Sequence, residues 1–276
     1  MAIEVTTSTG SALASRQPIR PPIQGDVDGQ TVRIPDVPAT GTPHTPHTPM
    51  QQPAAGLLAD HTVLPSFDAR LATIDAVLRP ECFARMLTEI ERLVTTERSY
   101  LPTHKKGGTV AYETLITNAP EVIAFYRSEE MQRLISSIVG APVQPTPLHD
   151  QNSCSVLFYE RRGDHIGWHY DHNFYKGRHF TVLIPMVNRN AEGSGLSKAQ
   201  LKARAGGDEH VIETPPNRMI IFEGARVIHK VSPIAEGERR VLLSTSYCCD
   251  PRNSRLQGVG RRIKDTAFFG IRALWT

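Results

Sequence analysis

A chain of 276 residues that is 39% hydrophobic can bury one sizeable core, and its four cysteines show no C-x-x-C spacing, so neither a disulfide framework nor a thiolate zinc site is expected. The formal net charge of +3 comes from scattered basic residues, too weak an imbalance to argue for a nucleic-acid partner. No run approaches the roughly 20 apolar residues needed to span a bilayer, and no basic segment followed by an apolar stretch opens the chain, so a soluble, cytoplasmic protein without membrane partners is expected.

Residues 1–62 read as a disordered leader. They hold nine of the 21 prolines and the repeat "TPHTPHTP", and the first aromatic residue of the chain is Phe67. A segment so poor in large apolar groups cannot offset the entropy of ordering it. One folded domain is then expected over residues 63–276.

That domain opens with helices. In "LRPECFARMLTEIERLVTT", Pro80 and Glu81 suit a first turn, and Phe83, Met86, Leu87, Ile90 and Leu93 recur at helical spacing. The stretch "APEVIAFYRSEEMQRLISSIVG" predicts a second helix ending at Gly140. The period then changes: "SCSVLFYE", "HFTVLIPMV", "HVIET", "RMIIFEG" and "RRVLLSTSYCC" are short β-branched or aromatic runs separated by Gly, Pro, Asn and Asp. Helices first and many strands afterwards predict an α+β chain whose second half is an antiparallel sandwich or roll.

The segment "GWHYDHNFYKGRHFTVLIPMVN" carries the chemistry. A lone H-x-[DE] means little, because 11 histidines and 28 acidic residues produce about one such match by chance. His169 and Asp171, however, are two apart at a strand edge and so share a face. His229 lies just beyond the apolar strand "RMIIFEG", where a roll can bring it to the same place. Two imidazoles and one carboxylate leave other positions of a metal open, which suits non-haem Fe(II) and dioxygen. A structural zinc site is more often closed by four protein ligands.

With "HYD" and then "HKVSPIAEGERR", the chain resembles the Fe(II)- and 2-oxoglutarate-dependent oxygenases of the prolyl-hydroxylase-like type over roughly residues 75–250. After the second histidine, Pro233, Gly237 and Arg239 stand at the offsets of that family. The resemblance implies a double-stranded β-helix (jelly-roll) core with the N-terminal helices packed on it. It implies His169, Asp171 and His229 as catalytic iron ligands, with 2-oxoglutarate as cosubstrate and O2 as oxidant. "VLFYERRGDHIGWHYD" looks like the family's tyrosine-bearing strand, which brings Tyr159 into the cosubstrate site. A buried carboxylate of 2-oxoglutarate needs a basic partner, and arginine offers a planar fork. Arg239 fits the family offset. Arg240, next to it, faces the opposite way on a strand, so one of the two takes the role and Arg239 is preferred.

Within the family, the metal-binding segment and "IFEG" look most like a small branch acting on free amino acids, which includes radical halogenases and their hydroxylase relatives. Halogenases replace the metal carboxylate by a small residue. Asp171 is kept here, so the resemblance implies hydroxylation of a C–H bond in a small polar metabolite. A prolyl-hydroxylase-like enzyme acting on a peptide or protein shares every metal motif and is the alternative. Candidate substrate contacts are Trp168 and His172, which flank the ligands, and Ser244 and Ser246, expected to share an inward face with Arg239. Lys106, with Lys105 in the Gly-rich "THKKGGT", could hold a substrate carboxylate under a lid.

Overall fold

A computed structural model describes residues 56–95, 105–147, 150–151 and 153–252, with the side chains of Lys105 and Lys106 excepted. The leader up to residue 55 lies outside the described residues. Among the described residues, four helices, α1 (Pro80–Val94), α2 (Tyr112–Asn118), α3 (Pro120–Arg127) and α4 (Glu129–Val139), accompany twelve strands. The strands before and among the helices are β1 (Leu71–Ile74), β2 (Lys105–Lys106) and β3 (Gly108–Val110). Then come β4 (Gln144–Pro145), β5 (Cys154–Tyr159), β6 (His165–His169), β7 (Lys176–Arg189) and β8 (Leu201–Ala205). The last four are β9 (Asp208–Ile212), β10 (Met219–Phe222), β11 (Ile228–Val231) and β12 (Arg239–Asp250).

Pro80 occupies the first turn of α1, where its missing N–H costs nothing. Cys82, Met86, Ile90, Leu93 and Val94 give this helix its buried face. The second expected helix divides in two, because Ser128 adopts an extended conformation (φ −61°, ψ 139°) and its hydroxyl accepts from the Met131 N–H as the N-cap of α4. Gly140 closes α4 in the left-handed conformation (φ 66°) that its position required.

The strands form two antiparallel sheets. The larger runs β1-β10-β7-β12-β5-β3, with β4 beside the far end of β12, and the smaller runs β2-β6-β11-β8-β9. Parity along β12 sorts the interior into two cores. Val241, Leu243 and Tyr247 join Val156, Phe158, Phe180 and Val182 against Met86, Ile90, Phe125 and Ile135 of the helices. Leu242 faces the other way and joins Tyr159, Leu183, Ile220 and Phe222 against Leu201, Ala203 and Val231 of the smaller sheet. One core therefore holds helices to sheet and the other holds sheet to sheet, which is the jelly roll with helices packed on one side. Each fully buried apolar side chain here contributes on the order of 1.5 to 3 kcal/mol.

The packed structure reaches back beyond the boundary expected at residue 63. Leu57 and Leu58 are buried, their N–H groups are held by the Glu130 carboxylate at 2.9 and 3.1 Å, and Ala59 donates to the Val77 carbonyl. Two leucines in a Pro- and Gln-rich setting give no periodicity to detect. The partners that order them lie on other elements.

Candidate metal centre

The roll brings His169, Asp171 and His229 together. β6 and β11 are antiparallel neighbours in which His229 is directly opposite His169, and the two imidazole centroids lie 4.1 Å apart. One ligand atom from each of the three residues falls within 4.8 Å of the others. Asp171 Oδ1 is 3.7 Å from His169 Nε2 and 3.9 Å from His229 Nε2. Those separations are too long for hydrogen bonds and lie within ion-pair range.

Neighbouring groups fix which atoms converge. His169 Nδ1 lies 2.8 Å from the Gly167 carbonyl, and His229 Nδ1 lies 3.1 Å from the Val227 carbonyl. A carbonyl only accepts, so each Nδ1 carries a proton and each Nε2 is the ring atom turned toward Asp171. The Thr181 hydroxyl donates to Asp171 Oδ2 at 2.5 Å, which turns Oδ1 to the histidines. Burial by itself would raise the Asp171 carboxyl, but His229, His169 and the Thr181 hydroxyl outweigh it and hold it below the usual carboxylate value. A carboxylate and two imidazoles whose Nε2 atoms converge on it are a donor set that fits Fe(II).

A second feature lies on the inward face of β12. Arg240 is completely buried; its Nη1 donates to the Ala199 carbonyl (2.7 Å) and its Nη2 to the Thr214 hydroxyl (3.1 Å). Its Nε has no partner among the described residues, and neither has the hydroxyl of Tyr159, the residue opposite Arg240 on β5. Desolvation pushes Arg240 down to about 10 and the Tyr159 phenol up to about 12. A buried guanidinium whose described hydrogen-bond partners are neutral, with the Glu238 carboxylate acting on it only through its charge, stands beside an orphaned phenol and fits the distal carboxylate of 2-oxoglutarate.

Arg239, preferred from the sequence, is placed otherwise. Its Nη1 and Nη2 grip the Glu91 carboxylate of α1 at 2.6 Å each, and its Nε donates to Glu160 at 2.8 Å. It faces the helices and already carries two carboxylates. Family spacing chose between neighbours one residue apart, and only the packing of α1 on β12 separates them.

The proposed substrate contacts divide. Trp168 alternates with His169 and faces away from Asp171; its ring lies between Arg204 and Lys230, each 4.6 Å from the centroid. His172 is exposed and stacks on Phe174. Neither is brought into the triad. Ser244 and Ser246 lie on the face of Arg240 and Leu242, not that of Arg239 as expected, because the even-numbered residues of β12 point between the sheets. Ser246 pairs in register with Thr181, and Ser244 with Ser155. Lys106 falls in β2, opposite His165, with its side chain outside the described residues.

Sequence reasoning missed Thr181, Gly224 and Glu223. Gly224 accepts from the Asp171 N–H (3.0 Å), and a Cβ there would stand 2.8 Å from both Asp171 Cβ and Thr181 Oγ1. Glu223 anchors that turn through Arg70 at 3.0 Å and Arg178 at 3.6 Å. The quoted "IFEG" held the signal, but only as a likeness.

Comparison with known proteins agrees with this geometry. A family model described as Halogenase D matches residues 66–189, and one described as the 2OG-Fe(II) oxygenase superfamily matches residues 154–247. No curated protein matches the chain in sequence. Among solved structures, the α-ketoglutarate-dependent epimerase SnoN from nogalamycin biosynthesis is similar with a TM-score of 0.53 and 16% identity, covering 65% of this chain and 76% of its own. The carbocyclase SnoK from the same biosynthesis gives 0.54 and 12% identity, over 70% of this chain and 86% of its own. AviO1 from Streptomyces viridochromogenes Tue57 gives 0.50 and 19% identity, over 67% and 92%. At these identities the structural likeness speaks for the fold. No described helix is long and apolar enough to cross a membrane.

Proposed function

The chain belongs to the 2OG-Fe(II) oxygenase superfamily, and from that premise we propose that it hydroxylates an unactivated C–H bond of a small polar metabolite, a free amino acid or a derivative of one. Fe(II), 2-oxoglutarate and O2 are the reagents of the superfamily. Bound together they supply an oxidant able to break such a bond, with release of succinate and carbon dioxide.

In this reading His169 and His229 offer Nε2 to the iron and Asp171 offers Oδ1. Arg240 and Tyr159 hold the distal carboxylate of 2-oxoglutarate, while the apolar cluster of Leu183, Leu201, Phe222 and Leu242 excludes water from the closed end of the roll. The hydroxyls of Ser155, Ser244 and Ser246, on the same inward face, suit the polar groups of a small substrate.

The observation that carries the reading is the Asp171 carboxylate turned toward both imidazoles within a segment that matches Halogenase D. A carboxylate there fills the position a halide would need and opposes it by charge. The test is succinate release across a panel of free amino acids, nucleosides and short peptides with Fe(II), ascorbate and 2-oxoglutarate, followed by product mass. A free amino acid gaining one oxygen is the expected result. Turnover confined to peptides would move the enzyme to the protein-modifying class.

A further inference from the structure

Two neighbours, Thr181 and Gly224, hold the Asp171 carboxylate in its orientation. The Thr181 Oγ1–H donates to Asp171 Oδ2 at 2.5 Å, in the range of a charge-assisted bond, and Thr181 itself is buried. Oδ1 is left as the oxygen that faces His169 and His229. This close approach depends on the residue behind it: Gly224 receives the Asp171 N–H, donates its own N–H to the His179 carbonyl, and leaves free the volume where a Cβ would press on Asp171 and Thr181 together. Backbone and side chain of Asp171 are thus held from two sides by β7 and the β10–β11 turn.

We propose that Thr181, seated against Gly224, is a positioning residue that restricts Asp171 to one-oxygen ligation and so keeps a metal position open for the cosubstrate. The inference rests on the reading of His169, Asp171 and His229 as the iron site. A metal held there by His169, His229 and one Asp171 oxygen would keep its remaining positions for the cosubstrate and O2. A carboxylate free to offer both oxygens would compete with the cosubstrate for the ion. The cost of losing the Thr181 hydroxyl therefore falls on cosubstrate binding more than on the fold.

The experiment uses the full chain stripped of metal and reloaded with Co(II), whose visible spectrum reports coordination without turnover. 2-Oxoglutarate is titrated into wild type, Thr181→Val, which keeps the shape and removes the donor, and Thr181→Ser, which keeps the donor. Metal-free unfolding temperatures are measured beside them. The Val variant should bind 2-oxoglutarate ten- to a hundredfold more weakly and show altered Co(II) bands, with its metal-free unfolding temperature near that of wild type. The Ser variant should return to within about threefold of wild type. Wild-type affinity in the Val variant, equal damage in Ser and Val, or a Val variant that does not fold without metal would each overturn the proposal. Failure of the wild-type Co(II) protein to bind 2-oxoglutarate at all would instead strike the underlying iron-site reading.

Discussion

Replacing Arg240 by methionine removes a buried charge while nearly filling its volume. The structure shows this guanidinium fully buried, with the Ala199 carbonyl and the Thr214 hydroxyl as its described partners and no partner for Nε. In the proposed reading, taking it away deprives the distal carboxylate of 2-oxoglutarate of its buried cation, a loss on the order of 2 to 5 kcal/mol. At about 1.4 kcal/mol per decade, the dissociation constant for 2-oxoglutarate should rise by roughly thirtyfold to a few thousandfold. The cosubstrate-free protein should unfold within a few degrees of wild type, because the desolvation cost removed with the buried charge offsets the loss of its attraction to Glu238. Arg239→Met should do the reverse. It removes the guanidinium that holds Glu91 and Glu160 at 2.6 and 2.8 Å, and each lost charge-assisted bond is worth about 1.5 to 3 kcal/mol. In a domain of this size that lowers the unfolding temperature by several degrees, with cosubstrate affinity altered by less than about threefold. Calorimetric titration of 2-oxoglutarate into the Co(II)-loaded variants, with thermal unfolding beside it, separates the two. Weak binding in Arg239→Met together with wild-type binding in Arg240→Met would refute the assignment.

Gly224→Ala places a methyl group 2.8 Å from Asp171 Cβ and Thr181 Oγ1, so metal affinity should fall at least tenfold, read by Co(II) titration. Trp168→Ala should leave the Michaelis constants for both substrates within about twofold, since the ring packs between Arg204 and Lys230 on the face opposite His169; a tenfold rise would bring it back into the site. Removing residues 1–55 should preserve turnover, whereas removal through residue 60 also deletes the buried Leu57 and Leu58 and should cost several kcal/mol of stability by denaturant titration. In excess chloride the wild-type product should carry oxygen and no chlorine isotope pattern by mass spectrometry, because Asp171 opposes a halide at the iron by size and by charge.

The α+β class, α1 and the strands β5, β7, β10 and β12 were legible in the sequence, since each depends on periodicity within a few residues. His169, Asp171 and His229 were legible too, because ligand chemistry restricts residue type and the family spacing restricts place. The division of the second helix at Ser128 hung on one cap, whose hydroxyl is satisfied only in the folded turn. The different surroundings of Arg239 and Arg240 needed the packing of α1 against β12: adjacent residues on a strand share their local sequence and face opposite ways, so tertiary packing, not spacing, sets which guanidinium is hydrogen-bonded to carboxylates and which is buried with an open Nε. The inward row of Ser244 and Ser246 beside Arg240, the outward turn of Trp168, and the hold of Thr181 and Gly224 on Asp171 likewise exist only once strands distant in the chain are in register. Local sequence sets the period and chemistry of each element. Which face meets which partner is fixed by long-range pairing, whose information is shared between segments and belongs to neither alone.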